Sequence, residues 1–197
     1  MLPIKIGITG GIGSGKSVVG RLLEMRGIPV YNSDREAKRL TSTHADIRSG
    51  LVALLGEEVF AENRLNKSLL AAYLFENEAH TRQINALIHP AVREDFRRWA
   101  ELQGEAHRIV AIETAILFEA GFADEVDMRV MVYAPERLRV ARTMARDGAD
   151  EDTVIRRIRS QMSDEEKKTL CDFVIVNDER EAVIPQVERL MDIVGTT

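Results

Sequence analysis

Residues Gly10-Gly11-Ile12-Gly13-Ser14-Gly15-Lys16-Ser17 match the pattern G-x-x-x-x-G-K-[ST] in full. The setting matters as much as the letters. Ile4, Ile6 and Ile8 form a short β-branched run that ends at Thr9, and from Lys16 onward Val18, Val19, Leu22, Leu23 and Met25 follow a helical period as far as Gly27, a C-terminal stop. A buried strand, a glycine loop and a helix in that order turn backbone N–H groups inward at the positive end of a helix, which makes a cradle for phosphate. Nucleotide contact is therefore assigned to Gly11, Ile12, Gly13, Ser14, Gly15, Lys16, Ser17 and Val18. Lys16 reaches the β- and γ-phosphates, and Ser17 is placed to ligate Mg²⁺. A glycine turn beside a surface lysine is the plain alternative, and eight matching positions between strand and helix speak against it. The motif specifies a nucleoside triphosphate and nothing finer.

Further apolar runs follow at Ile28–Tyr31, Arg108–Glu113, Met128–Tyr133 and Phe173–Asn177. They are continuously apolar, as strands buried on both faces of a parallel sheet are, and helix-like segments separate them. The expectation is an α/β fold with a five-stranded parallel sheet flanked by helices. Two stretches interrupt the alternation. Residues 35–105 hold no convincing strand and read as a helical insertion, with one helix pattern ending before Pro90. Residues 135–170 hold two helix patterns around Asp147-Gly148-Ala149 and are rich in arginine.

Composition sets further bounds. With 27 Lys and Arg against 32 Asp and Glu the 197-residue chain carries a formal charge of −5, which disfavours a nucleic-acid surface. Between Arg137 and Lys168, however, nine basic residues, seven of them arginine, face seven acidic ones, so positive charge concentrates where phosphate would need it. No run approaches the ~20 apolar residues of a membrane span, and the first residues lack the long apolar stretch of a signal peptide. The single cysteine, Cys171, reads as a small buried residue, and no partner cysteine suggests a disulfide or structural zinc. A cytoplasmic protein is expected. The oligomeric state is left open.

The run Ile8-Thr9-Gly10 through Ser17, followed by Pro29-Val30-Tyr31-Asn32-Ser33-Asp34, resembles the dephospho-coenzyme A kinase family. Leu65-Asn66-Lys67, Ile88-His89-Pro90-Ala91-Val92, Glu113-Thr114-Ala115-Ile116-Leu117-Phe118-Glu119, Arg142 with Arg146-Asp147, Gln161 and Val176-Asn177 extend the likeness in family order over nearly the whole chain. The resemblance implies a P-loop NTPase fold with a nucleotide core (1–34, 106–134 and 171–197), a helical coenzyme A substrate domain (35–105) and a helical lid (135–170). It implies transfer of the ATP γ-phosphate to the ribose 3′-hydroxyl of dephospho-coenzyme A, with Mg²⁺.

Asp34 lies just past the second strand, where position alone leaves a helix cap and a base equally open. The resemblance implies the base, or an orienter of the acceptor hydroxyl. Glu113 closes an apolar strand as a Walker B acid does and could hold Mg²⁺ opposite Ser17; an ordinary strand-end carboxylate is the alternative. His89 is either a substrate contact or a histidine stopping a helix at Pro90. Arg142 and Arg146, four apart, are expected to point together at phosphates, with Lys16, Arg142 and Asp34 as the catalytic set. Arg139 and Arg159 are read as solvated surface or as i,i+4 partners of acids. Asn177 either reads adenine or forms a turn. Three positions depart from the common family pattern: Asn32 for an aspartate, Lys67 for an arginine, Ala115 for a proline.

Two other functions fit parts of the pattern. A nucleoside monophosphate kinase would share the loop and the lid, without the Ile88-His89-Pro90 and Glu113-to-Glu119 segments. A GTP-dependent switch would need a guanine reader such as Asn-Lys-x-Asp. The one partial match, Asn66-Lys67-Ser68-Leu69, lacks the aspartate.

Overall fold

All five apolar runs pair into one parallel sheet. In the computed structural model, which describes residues 2–195, these are β1 (Ile4–Thr9), β2 (Val30–Asn32), β5 (Ile109–Glu113), β6 (Met128–Tyr133) and β7 (Phe173–Val176). Their order across the sheet is β2-β5-β1-β6-β7. The central strand, β1, is flanked on both sides, with Ile8 in register with Glu113 of β5 and with Val130 of β6. Every residue of β1 from Ile6 to Thr9 is buried. That is why the sequence shows an apolar run there and no polar alternation.

The chain divides into two units, one formed by the residues up to Asn32 and from Trp99 onward, the other by Ser33–Arg98. In the first, α1 (Lys16–Glu24) and α9 (Val183–Gly195) pack together over one face of the sheet. Val19 and Leu23 of α1, and Val187, Leu190 and Val194 of α9, close on Ile6, Ile8, Val130, Val132 and Ile175. At about 1.5–3 kcal/mol for each fully buried aliphatic side chain, this layer is a principal source of the unit's stability. Three helices, α6 (Glu136–Asp147), α7 (Glu151–Arg159) and α8 (Asp164–Leu170), separate β6 from β7. α7 opens on an Asp150 cap, and α8 on a reciprocal capping box between Ser163 and Glu166.

The second unit contains α2 (Ser33–Thr43), α3 (Ala45–Leu55), a short hairpin of β3 (Phe60–Ala61) and β4 (Arg64–Leu65), α4 (Lys67–Glu76) and most of α5 (Glu78–Gly104). Arg39 of α2 ties it internally, donating to Glu36 and to both carboxylate oxygens of Asp95 at 2.8–2.9 Å. The bond from Arg39, joined by one from Arg35, holds the Glu36 carboxyl below its ordinary range.

Two expectations for this region are corrected. The hairpin falls in a stretch read as free of strands: each strand is two residues long, and the turn places Glu62 and Asn63 at φ 49° and 64°. Strands that short carry no periodic signal. Pro90 does not stop its helix, because α5 runs through it for 27 residues. Ile84, Val92, Phe96 and Ala100 are all buried, and that stripe at multiples of four residues spans the proline. Continuous burial on both sides outweighs the one lost backbone hydrogen bond. His89 is accordingly a mid-helix residue.

Among the described residues no helix is long and apolar enough to cross a membrane. Cys171 is half-buried, and burial, reinforced by Asp172, pushes its thiol up to about 11. Its thiolate fraction near neutral pH is then roughly 10²-fold below that of a free cysteine. Iodoacetamide at pH 7.5 is expected to alkylate it about that much more slowly than a free thiol; labelling at the free-thiol rate would contradict this.

Candidate active site

The loop between β1 and α1 is wedged between the end of β6 and the start of α6. Gly10 and Gly13 show why glycine is needed there, with φ of 144° and 79°. A Cβ at Gly10 would run into the carbonyl oxygen of Val132. One at Gly13 would strike the carbonyl oxygen of Arg139 and lie 2.6 Å from Thr143 Oγ1. Backbone approach and left-handed dihedrals exclude any side chain at either point. Lys16 bends back over the arch and donates from Nζ to the carbonyls of Gly10 at 2.9 Å and Gly11 at 3.2 Å. Its ammonium is thus held against the loop that has to receive phosphate.

Ser17, one residue on, donates from Oγ to Glu113 Oε1 at 2.7 Å. Asn32, in register with Glu113 across β2 and β5, donates from Nδ2 to Glu113 Oε2 at 3.1 Å. The departure at Asn32 has a local reason. A carboxylate in its place would face Glu113 at hydrogen-bonding range, and the two could not both ionise cheaply. The amide supplies a donor instead. A hydroxyl and a carboxylate side by side at the mouth of the phosphate loop are hard oxygen donors, the chemistry that suits Mg²⁺. Among the described residues no group of three or more His, Cys, Asp or Glu side chains forms a metal site.

On the other side of the loop, Asn177 donates from Nδ2 to the Ser14 carbonyl at 2.9 Å. Arg142, on α6, reaches the Asn177 carbonyl at 3.1 Å and Glu179 at 3.2 Å. Loop, Arg142 and Asn177 therefore form one connected group. Arg146 does not join it: its guanidinium donates to Asp147 at 2.7 and 3.1 Å and holds that carboxyl below its ordinary range. The two arginines expected to point together turn to different partners. Val18 is exposed on the first turn of α1.

The amide of Ile12 donates to Gln161 Oε1 at 3.1 Å. Beside it lies a cleft of about 470 Å³ lined by Gly11, Tyr133, Arg139, Ile158, Gln161 and Asp164 among others. Arg139, expected as solvated surface or as a partner of acids along its own helix, is buried, and its Nη2 pairs with Asp164 Oδ2 at 2.8 Å. The signal was present in the helical period, because Arg139 shares the buried stripe of α6 with Val140 and Thr143. A cation on such a stripe has to be paired. Arg159 is exposed as expected. A second pair, buried Lys167 with exposed Glu119 at 3.2 Å, was also missed; Lys167 donates to the Ala115 carbonyl, and Glu119 accepts from the Met162 amide.

Asp34 and His89 belong to the second unit. Asp34 sits in the first turn of α2, exposed, where it lies inside the helix and does not cap it. β2 passes into α2 with no loop between them, so Asp34 follows two residues after Asn32.

Comparison with known proteins accounts for this assembly of loop, strand-end acid and arginine-bearing helices. The sequence profile of the dephospho-CoA kinase family matches residues 4–182. A dephospho-CoA kinase of Bacteroides fragilis is 55% identical over 190 residues, spanning 96% of this chain and 92% of its own. That of Porphyromonas gingivalis is 41% identical, over 98% and 95%. Among solved structures, TT1252 of Thermus thermophilus superposes with a TM-score of 0.81 at 33% identity, over 100% of this chain and 98% of its own. A phosphate loop capped by its own lysine, a Ser17–Glu113 pair at its mouth and these relatives along almost the entire length place the chain in the dephospho-CoA kinase family.

Proposed function

We propose that the site transfers the ATP γ-phosphate to the ribose 3′-hydroxyl of dephospho-coenzyme A with Asp34 as the group that takes the hydroxyl proton. The observation that carries the reading is the Ser17–Glu113–Asn32 cluster beside the Lys16-capped loop, with Asp34 two residues after Asn32 in the chain. As the 3′-oxygen forms its bond to the γ-phosphorus, its proton passes to the Asp34 carboxylate, and the bond between that phosphorus and the β–γ bridging oxygen breaks to release ADP. Lys16 and the amides of residues 13–17 meet the charge that gathers on the phosphate oxygens. Arg142 adds a second cation on the α6 side. Asn177, whose Nδ2 donates to Ser14 and whose backbone carbonyl accepts from Arg142, offers its side-chain Oδ1 to an adenine amino group. Ser17 and Glu113 are the residues that would hold Mg²⁺, which supplies electrostatic shielding of the phosphates when bound. In this reading Ser33–Arg98 receives the acceptor, with His89 among its contacts, and α6–α8 form the lid.

The test incubates purified protein, Mg²⁺ and ATP with dephospho-coenzyme A, AMP, CMP and shikimate in parallel and follows ADP. ADP is expected only with dephospho-coenzyme A, and ³¹P NMR of the product should show a new 3′-phosphomonoester. Turnover with a nucleoside monophosphate alone would sink the reading. Removing Mg²⁺ with EDTA should stop turnover and added Mg²⁺ restore it, whereas full activity in EDTA would remove the metal from the reaction.

A further inference from the structure

Residue 139 packs against the phosphate loop at two points. Its backbone carbonyl and Cα lie under Gly13, and its guanidinium lies over Gly11 so closely that a Cβ there would overlap Nη1 and stand 2.9 Å from Cζ. The guanidinium is not free to yield. Its side chain is 5% exposed, Nη2 pairs with Asp164 at 2.8 Å, and Nε donates to the Ala134 carbonyl at 3.2 Å. Asp164 opens α8, three residues after Gln161, whose side chain accepts the Ile12 amide. Loop residues 11–13 are therefore clamped from both ends of the α6–α8 segment. The cation is also largely neutralised: Asp164 faces it directly and Glu136 stands 4.0 Å away. A guanidinium so committed adds little net charge for a triphosphate, but it determines where the Gly11 backbone can lie.

We propose that Arg139, held by Asp164, is a positioning residue for nucleotide binding: it fixes the Gly11–Gly13 turn so that the loop amides converge on phosphate before ATP arrives. The inference deepens the proposed reading of the site. It concerns ATP alone, so it can be tested without the acceptor.

The experiment measures ATP affinity by titration calorimetry, KM for each substrate and the melting temperature. Arg139→Gln is expected to weaken ATP binding about 10–100-fold, the scale on which a displacement near 1 Å acts, while KM for dephospho-coenzyme A stays within about twofold. A merely structural role would lower the melting temperature without that selectivity. Arg139→Lys keeps the charge and loses the planar fork, and is expected to recover little of the ATP affinity. Asp164→Asn should weaken ATP binding in the same direction, and the double variant should bind no more weakly than Arg139→Gln alone. Gly11→Ala keeps both partners but pushes the guanidinium aside, and is expected to show the same selective loss; it carries the test should the Arg139 variants fail to fold. ATP affinity within about twofold of the parent in Arg139→Gln or Gly11→Ala, full rescue by lysine, or additive losses in the double variant would each overturn the proposal. Failure of the acceptor panel with these ATP results intact would count against the proposed reaction and leave this inference standing.

Discussion

Exchanging Asp34 for asparagine is expected to lower turnover by about 10²–10⁴-fold, the range for loss of a positioned general base, while leaving ATP affinity nearly unchanged. The separation follows from the roles assigned to the residues. In the proposed reading the nucleotide is met by the loop, Lys16, Arg142 and Asn177, a hydrogen-bonded group of the first unit, and Asp34 acts on the acceptor hydroxyl. Asparagine keeps the size of the side chain, and the first turn of α2 retains Glu36 as an acidic residue. The helix should lose only a few tenths of a kcal/mol from the missing charge near its N-terminus. A fall in kcat with unchanged ATP affinity and melting temperature is thus the signature of a lost proton acceptor. Unchanged kcat would remove Asp34 from the mechanism.

Lys16→Ala is the second large effect, and its signature differs. Both ATP affinity and kcat should fall, the latter by about 10³-fold or more, because the same ammonium binds the ground-state phosphates and meets the charge of the transferring group. The variant also frees the carbonyls of Gly10 and Gly11, which Lys16 now ties together. Calorimetry and steady-state kinetics on Asp34→Asn and Lys16→Ala together separate binding from proton transfer. Normal ATP affinity in Lys16→Ala would contradict the loop assignment.

The sheet was legible because its signal is local: Ile6, Ile8, Val130, Val132 and Ile175 announce burial residue by residue. The phosphate loop was legible for a related reason, since Gly10, Gly13 and Lys16 answer to backbone geometry within a few positions. Pairings between distant segments were harder to read. Nothing in the neighbourhood of Arg139 says that Asp164 lies opposite, and nothing near Glu119 points to Lys167. The even spacing of charges on α6 suggested that Arg142 and Arg146 act together, yet each turned to the carboxylate nearest its own end, Glu179 or Asp147. Pro90 was misleading in the opposite sense, as a local stop overruled by packing along the whole of α5.

The position of β1 in the sheet has a consequence for synthesis on the ribosome. The strand that leads into the phosphate loop is made before its neighbours, which begin at Ile109 and Met128, more than a hundred residues after Ile4. At about 5–20 residues per second, roughly 5–25 s pass before both flanks of β1 exist. During that interval the central strand of the sheet has neither of its flanking strands, and nucleotide cannot help, because the carbonyl of Val132 that confines Gly10 has not been made. The nascent chain is therefore most exposed to aggregation before β5 and β6 emerge, and the loop acquires its shape only when β6 arrives.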